Sequence, residues 1–431
     1  MLSNFQTADS GDAHRKSRKL RITVVTETYP PEINGVAVTV ARVVKGLLDG
    51  GHHVQLVRPR QHSREVARAG GEFSELLAIG LAIPRYPDLK FGLPMARKLV
   101  RAWKLHRPDV VHIATEGPLG ASASKAAKRM GIPVVSEFRT NFHAYSSHYG
   151  IGFLHNFILG YLRRFHNRTA RTLVPTAALG RELVQQGFER VHVVARGVDV
   201  GLFDPARRDE GLRASWGAGP ETLVAAAVGR VAAEKNLGLM SRAFARMKSI
   251  RPDTKLVMVG DGPARASFEE STPDTLFAGK RFGEDLATHY ASADMLLFPS
   301  KTETFGNATL EAMASGLAVL AFDYGAAGEF VVTGKNGWAV PFDDEAEYLR
   351  AAATAAGDLV SVRQLGVQAR RDAQGLGWGK ILAQIEMHYA GAMDSGPSWP
   401  AAESGAEEEP ASLINLAVPI EESGPAFCRN E

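Results

Sequence analysis

Cysteine is almost missing from this chain: one residue, Cys428, in 431. A single thiol excludes an internal disulfide and any metal site built from cysteines, and it fits a reducing compartment. Long apolar runs are missing too. The first twenty residues are polar and mixed in charge, without the apolar stretch of a secretory signal. No uninterrupted apolar segment is long enough to span a bilayer. The expectation is a cytoplasmic protein, at most peripheral at the inner face of the cell membrane. An Asp-X-Asp metal clamp is also lacking. No metal and no resident cofactor are therefore expected.

What is present describes a globular chain. Hydrophobic residues make up 45% and charged residues 23%, values ordinary for a folded soluble protein. The length exceeds one ordinary core and implies two domains with tails. The net charge of +3 hides an asymmetry. Residues 396–431 hold seven acidic side chains and one basic, a balance of −6 that leaves +9 for the body. A basic body suits an anionic partner. Charge alone does not choose among a nucleotide, a membrane surface and nucleic acid.

The chain divides by pattern. Residues 1–20 read as a flexible leader. Residues 396–431, rich in Pro, Gly, Ser and Glu, read as an acidic disordered tail. Between them, short apolar β-branched runs alternate with longer helical patterns. The runs lie at 22–26, 54–57, 110–113, 133–136, 172–174 and 191–195. They restart at 223–228, 256–259, 275–278, 295–298, 318–321 and 338–340. Brief continuous apolar strands belong to parallel sheets covered on both faces. Two such series predict an α/β protein with two doubly wound Rossmann-like domains facing a central cleft. The expected bounds are 21–197 and 198–375, with a helix at 376–395 packing back on the first domain. The seam falls where Gly, Asp and Pro break the periodicity near 197–205.

The sharpest chemical feature is residues 301–316, Lys-Thr-Glu-Thr-Phe-Gly-Asn-Ala-Thr-Leu-Glu-Ala-Met-Ala-Ser-Gly. A strand feeds a loop, and a helix begins near Asn307. Glu303 and Glu311 are eight residues apart, a rise of about 12 Å if wholly helical. Carboxylates that far apart do not share one glycosidic bond, where a retaining pair sits about 5 Å apart. They suit opposite ends of one extended ligand: Glu303 on a sugar, Glu311 on a ribose. Between them the amides of Phe305, Gly306 and Asn307 open a helix N-terminus, a ready diphosphate site. The plainer alternative is a loop charge and a solvated helix residue. The strand, the Gly turn and the small-residue helix around the pair argue against it. A second feature is Arg230 at the end of the first strand of the second half, with Lys235 five residues on. Paired cations stabilise a departing diphosphate without a metal. Alone, they would read as two surface cations.

Together, Glu303-X7-Glu311 and Gly229-Arg230…Lys235-Asn236 resemble the retaining glycosyltransferases of family 4, which have the GT-B fold. The likeness spans most of residues 21–395. Gly197-Val-Asp199…Phe203-Asp-Pro205, Val259-Gly-Asp-Gly-Pro263 and Gly334-Lys-Asn-Gly337 also resemble that family. The resemblance implies transfer of a hexosyl group from a nucleotide diphosphate sugar, a UDP-sugar or GDP-mannose, which enters as substrate. Arg230 and Lys235 would offset the leaving phosphates, Glu303 would orient the sugar and Glu311 would hold the ribose. Gly35 would let the backbone of the first half approach the donor, although the chain has Asn34-Gly35 where the family usually has Gly-Gly. A plain βα turn is the other reading there. Where the family commonly has His-Thr touching the donor sugar, this chain has Arg139-Thr140, with His143 four residues on. Either Arg139 fills the position as a cation, or His143 reaches it.

The wording of residues 304–316 resembles bacterial members that build membrane glycolipids, which implies a lipid acceptor such as diacylglycerol. A GDP-mannose-dependent α-mannosyltransferase is the near alternative. Arg97, Arg101 and Lys104 on one predicted helix face, and Arg163, Arg164, Arg168 and Arg171 after the apolar stretch 153–161, suit an anionic leaflet. A solvated charged face is the competing reading. No recognition motif accompanies the charge, so nucleic acid is not an expected partner. Two other classes stay open. A sugar-nucleotide epimerase of this architecture would convert its substrate with no acceptor present. A binding module would tolerate loss of Glu303.

Overall fold

The computed structural model describes residues 18–395 except 33, 84–85 and 140–151. The predicted His143 therefore lies outside the described residues, as do the leader to residue 17 and the acidic tail. Ten strands form in the first half: β1 (Arg21–Val25), β2 (His53–Pro59), β3 (Ala69–Gly70), β4 (Phe73–Ala78), β5 (Gly80–Ile83), β6 (Tyr86–Gly92), β7 (Val110–Ile113), β8 (Val134–Glu137), β9 (Arg171–Val174) and β10 (Val191–Val193). Around them stand α1 (Gly35–Asp49), α2 (Ala96–Leu105), α3 (Pro118–Met130), α4 (Gly152–His166) and α5 (Ala177–Gln185). The second half has β11 (Val224–Val228), β12 (Lys255–Val259), β13 (Thr275–Gly279), β14 (Met295–Phe298), β15 (Ala318–Phe322) and β16 (Gly337–Val340). Its helices are α6 (Glu210–Ser215), α7 (Leu237–Ile250), α8 (Arg265–Ser271), α9 (Gly283–Ala291), α10 (Asn307–Ala314), α11 (Gly325–Phe330), α12 (Glu345–Gly357) and α13 (Leu359–Gln374). A final helix, α14 (Trp378–Asp394), follows.

The second sheet is wholly parallel, in the order β13-β12-β11-β14-β15-β16. The first has the order β10-β9-β8-β7-β1-β2-β4-β3, parallel except for the short β3. Each is a doubly wound sheet whose strand order reverses once, between β1 and β7 and between β11 and β14. Ligands settle outside the carboxyl ends of strands at such reversals. Central strands such as β7 and β14 are buried at every residue. That burial explains why they read as continuous apolar runs rather than alternating ones. The expected strands all form. The segment 69–92 adds strands that the pattern did not show. In β4, Ser74 and Glu75 interrupt the apolar run and burial is only partial, so no continuous signal arises. The pair β5–β6 is a separate antiparallel hairpin.

The helices follow local chemistry. The Asn34 side chain caps α1 by accepting from the Ala37 amide at 2.8 Å. Ala37, Val40, Val43, Val44 and Leu47 then give α1 a buried stripe. Pro118 opens α3 and Gly131, at φ +60°, ends it.

Two chain crossings lie side by side between the halves. Val198 leaves the first half as Gly377 returns to it, and the two form a parallel bridge. The Val198 amide donates to the Leu376 carbonyl at 3.0 Å. A β-carbon on Gly197 would stand 2.7 Å from the Trp378 ring, so only glycine permits this approach. Helix α14 then lays Ile381, Ile385, Tyr389 and Ala392 into the core of the first half.

The second half is tied at its base by Asp294. Its Oδ2 accepts from the Val224 amide at 2.9 Å and from Arg213 Nη1 at 3.2 Å, and Arg213 is fully buried. Asp294→Ala leaves that guanidinium with only the exposed Glu210, 3.5 Å from its Nε, as a charge partner. The expected loss is about 3 kcal/mol, read as a lowered denaturant midpoint for the second half.

Candidate active site

The carboxyl ends of β11 and β14 build one wall of the cleft. Beyond β14 the chain runs through Ser300 and Glu303 to Phe305, which is 1% exposed, and turns at Gly306 with φ +91°. That positive φ favours glycine, and it starts α10 at Asn307 with no side-chain cap. The carbonyl of Phe305 is taken by the Ala326 amide at 2.6 Å, which fixes the loop against α11. Among the described residues, the amides of Phe305, Gly306 and Asn307 find no acceptor. A short helix thus aims unsatisfied donors and its positive dipole end into the cleft.

Lys235 stands in a tight turn after β11 and forms an ion pair with Glu303. Ser300 Oγ donates to the same carboxylate oxygen at 2.7 Å, and Lys235 Nζ lies 5.5 Å from the Phe298 ring centroid. The structure therefore brings together two residues that the sequence separates by 68 positions. Arg230 follows Gly229, at φ +145°, whose added β-carbon would lie 3.8 Å from Lys235 Cε. The Arg230 side chain is exposed, and no described residue pairs with it. Glu311 sits one turn into α10 and accepts from the fully buried Tyr290 hydroxyl at 2.9 Å. Burial raises the Glu311 carboxyl above its ordinary value, with Tyr290 acting the other way. Tyr290 is a partner that the sequence gave no reason to select, because it lies on α9, 21 residues earlier.

The opposite wall comes from the first half. Gly35 is the first residue of α1. It faces the Asn307 side chain: an added β-carbon would stand 3.8 Å from Asn307 Nδ2. Arg139 is not in the open cleft. It is 8% exposed and forms an ion pair with Glu137, while its Nε and Nη1 find no partner. Glu137 also receives His112 Nε2 at 2.8 Å, and His112 Nδ1 meets the Tyr389 hydroxyl of α14 at 2.5 Å. Arg139, Glu137 and Arg196 line a cavity of about 30 Å³ together with Thr39, Trp378 and Ile381, room for a water or so. Burial pushes the Glu137 carboxyl up, but Arg139, His112 and Arg196 outweigh it and hold the group at about 2.

Three features escaped sequence reading. Arg196 reaches Asn307 across the cleft, with Nη1 3.4 Å from Oδ1. Glu329 of α11 accepts from the Ala177 amide at the start of α5, at 2.9 Å, a direct tie between the halves. Glu27, after β1, accepts from the amides of Gly92 at 2.5 Å and Leu119 at 2.8 Å; burial lifts its carboxyl to about 7 against those amides. No motif marks any of them. Among the basic residues of the first half, Arg97, Arg101 and Lys104 are exposed on α2, and Arg163, Arg164 and Arg168 are exposed as well. Arg171 is not part of that surface. It packs beneath α14, with Nη1 3.1 Å from His388 Nδ1. No group of three His, Cys, Asp or Glu among the described residues is arranged to hold a metal.

Two doubly wound sheets with a cleft at both reversals define the GT-B architecture. The profile "Glycosyltransferase Family 4" matches residues 33–202, and "Glycosyl transferases group 1" matches residues 222–358. A GDP-mannose-dependent alpha-mannosyltransferase of Mycobacterium tuberculosis is 34% identical over 379 residues, covering 86% of this chain and 96% of its own. The alpha-monoglucosyldiacylglycerol synthase of Acholeplasma laidlawii is 26% identical, covering 74% and 84%. The solved sucrose-phosphate synthase of Thermosynechococcus elongatus superposes with a TM-score of 0.68 at 17% identity, over 88% of this chain and all of that one. The chain belongs to glycosyltransferase family 4.

The Glu137 site makes a prediction about pH. The unfolded carboxyl titrates near 4.5 and the folded one near 2, so between those values the native state binds fewer protons. The stabilisation is complete above about 4.5 and disappears as pH falls through about 2. Glu137→Gln should therefore cost about 3 kcal/mol at pH 7. In thermal melts its deficit against the wild type should shrink as the pH falls from 4.5 to 2.

Proposed function

We propose that this enzyme is a retaining, metal-independent hexosyltransferase. It takes mannose from GDP-mannose and delivers it to a lipid-borne acceptor of the diacylglycerol glycolipid type. The observation that carries the reading is the group of unsatisfied amides at Phe305–Asn307 beside Lys235 and the unpaired Arg230. A leaving diphosphate accumulates negative charge, and donors already fixed in place stabilise it without reorganising. Lys235 exchanges Glu303 for phosphate when the donor arrives. That exchange frees the Glu303 carboxylate to receive sugar hydroxyls. Glu311, held by Tyr290, receives the ribose. Gly35 lets the first half close over the diphosphate. Arg139, anchored by Glu137, stands as a second-wall cation at the position where the family has histidine, with His143 the other candidate for that role.

The donor base and sugar are supported by the mannosyltransferase relative at 34% identity. GDP-mannose is α-linked, so an alpha product means retention. The lipid acceptor is supported by the diacylglycerol-acting relative and by the exposed basic face of α2, where Arg97, Lys98, Arg101 and Lys104 stand together. Such a face attracts an anionic leaflet. No helix of the described residues is long and apolar enough to cross a membrane, so contact would be peripheral.

Incubation with GDP-mannose, UDP-glucose and UDP-glucuronate, each with diacylglycerol, glycosyl-diacylglycerols or free sugars, decides among the readings by product mass. An α-mannosyl lipid is expected, with its anomeric configuration read by NMR. An inverted linkage, or conversion of the nucleotide sugar with no acceptor present, overturns the proposal. Lys235→Ala should lower kcat about a hundredfold while leaving the melting temperature close to that of the wild type. Unchanged turnover removes the phosphate role.

A further inference from the structure

Arg196 is the cation that the family motif does not mark. It stands three residues past the end of β10, at the carboxyl edge of the first sheet. Its backbone is held, because the next residue, Gly197, is pressed on Trp378 and the one after, Val198, is bonded to Leu376. The guanidinium points across the cleft. Its Cζ lies 5.4 Å from the Phe305 ring centroid and its Nη1 3.4 Å from Asn307 Oδ1. Both neighbours belong to the α10 N-terminus, and Gly35 comes to the same spot.

Glu137 and Glu303 attract Arg196 from a distance, but neither pairs with it directly. Among the described residues, no carboxylate oxygen comes within 4.0 Å of it. The two nearest acids are committed elsewhere: Glu137 to Arg139 and His112, and Glu303 to Lys235 and Ser300. A guanidinium offers five donors in a planar fork, and among the described residues one long hydrogen bond to a neutral amide uses them. Desolvating such a group without an anion is unfavourable, and the neighbouring Arg139 adds repulsion. Phosphate oxygens match the fork in spacing as well as charge.

We propose that Arg196 is a third cation for the donor diphosphate, supplied by the first half and meeting the phosphate distal to the nucleoside at the α10 N-terminus. The proposal rests on the reading of a nucleotide diphosphate sugar in this cleft. It adds that the diphosphate fastens the two halves together. The helix amides and Lys235 hold it from the second half, and Arg196 holds it from the first. A nucleoside monophosphate lacks the distal phosphate and gains nothing from Arg196.

Calorimetric titration of the full chain with GDP and GMP, and with UDP and UMP as a second pair, tests this. Arg196→Gln should weaken nucleoside diphosphate binding about tenfold or more and leave the monophosphate within about twofold. Arg196→Lys, which keeps the charge and loses the fork, should fall between wild type and Arg196→Gln for the diphosphate. Wild-type affinity of Arg196→Gln for the diphosphate overturns the proposal. So does an equal loss for both nucleotides, which would mark general damage to the cleft, and melting curves of both variants report that damage directly. A wild-type chain that binds no nucleoside diphosphate fails earlier and differently: it removes the transferase reading itself.

Discussion

The arrangement depends on two backbone crossings that touch. Gly197 gives up its side chain so that Trp378 can lie against it, and the parallel bridge between Val198 and Gly377 fixes one crossing to the other. With the Glu329–Ala177 tie, that contact joins the two sheets. With it, the carboxyl edges of both sheets face one cleft, and α14 is committed to the core of the half the chain has already left. A joint at only two strands of chain restrains the distance between the halves more than their angle. Such a joint suits an enzyme that must admit a donor, close to exclude water, and reopen.

Across this joint the protein keeps charge in deliberate imbalance. Lys235 is paired with Glu303, and Arg139 with Glu137, while Arg230 and Arg196 have no carboxylate partner among the described residues. The amides at the start of α10 are likewise unanswered. Buried or half-buried donors without acceptors are costly in a folded protein. On the reading proposed above, the donor diphosphate answers them. The two paired carboxylates have different work. Glu137 is locked between Arg139 and His112 and steadies the wall. Glu303 is held by Lys235 and Ser300 at the mouth of the second sheet.

The fold was largely legible because parallel strands buried on both faces leave continuous apolar runs, and these runs recur in two series. The strands between 69 and 92 were not legible, because partial exposure there mixes polar and apolar residues. The second half's wall of the cleft was legible for a different reason. Glu303, Phe305, Gly306, Asn307 and Glu311 follow one another on a single loop and helix, so their spacing records their geometry. The other wall is assembled from Gly35, His112, Glu137, Arg139 and Arg196, together with Tyr389 nearly 200 residues beyond the last of them. No local spacing encodes that meeting.

The sequence by itself determined the two-sheet class, the family and the residues that line one strand-loop-helix, because each of these is a property of neighbours along the chain. Only the tertiary structure decided which cations keep their charge free. Whether an arginine is neutralised depends on what stands beside it in space. Arg171 and Arg196 look alike in the sequence. The fold packs one under a terminal helix and turns the other toward a waiting helix N-terminus.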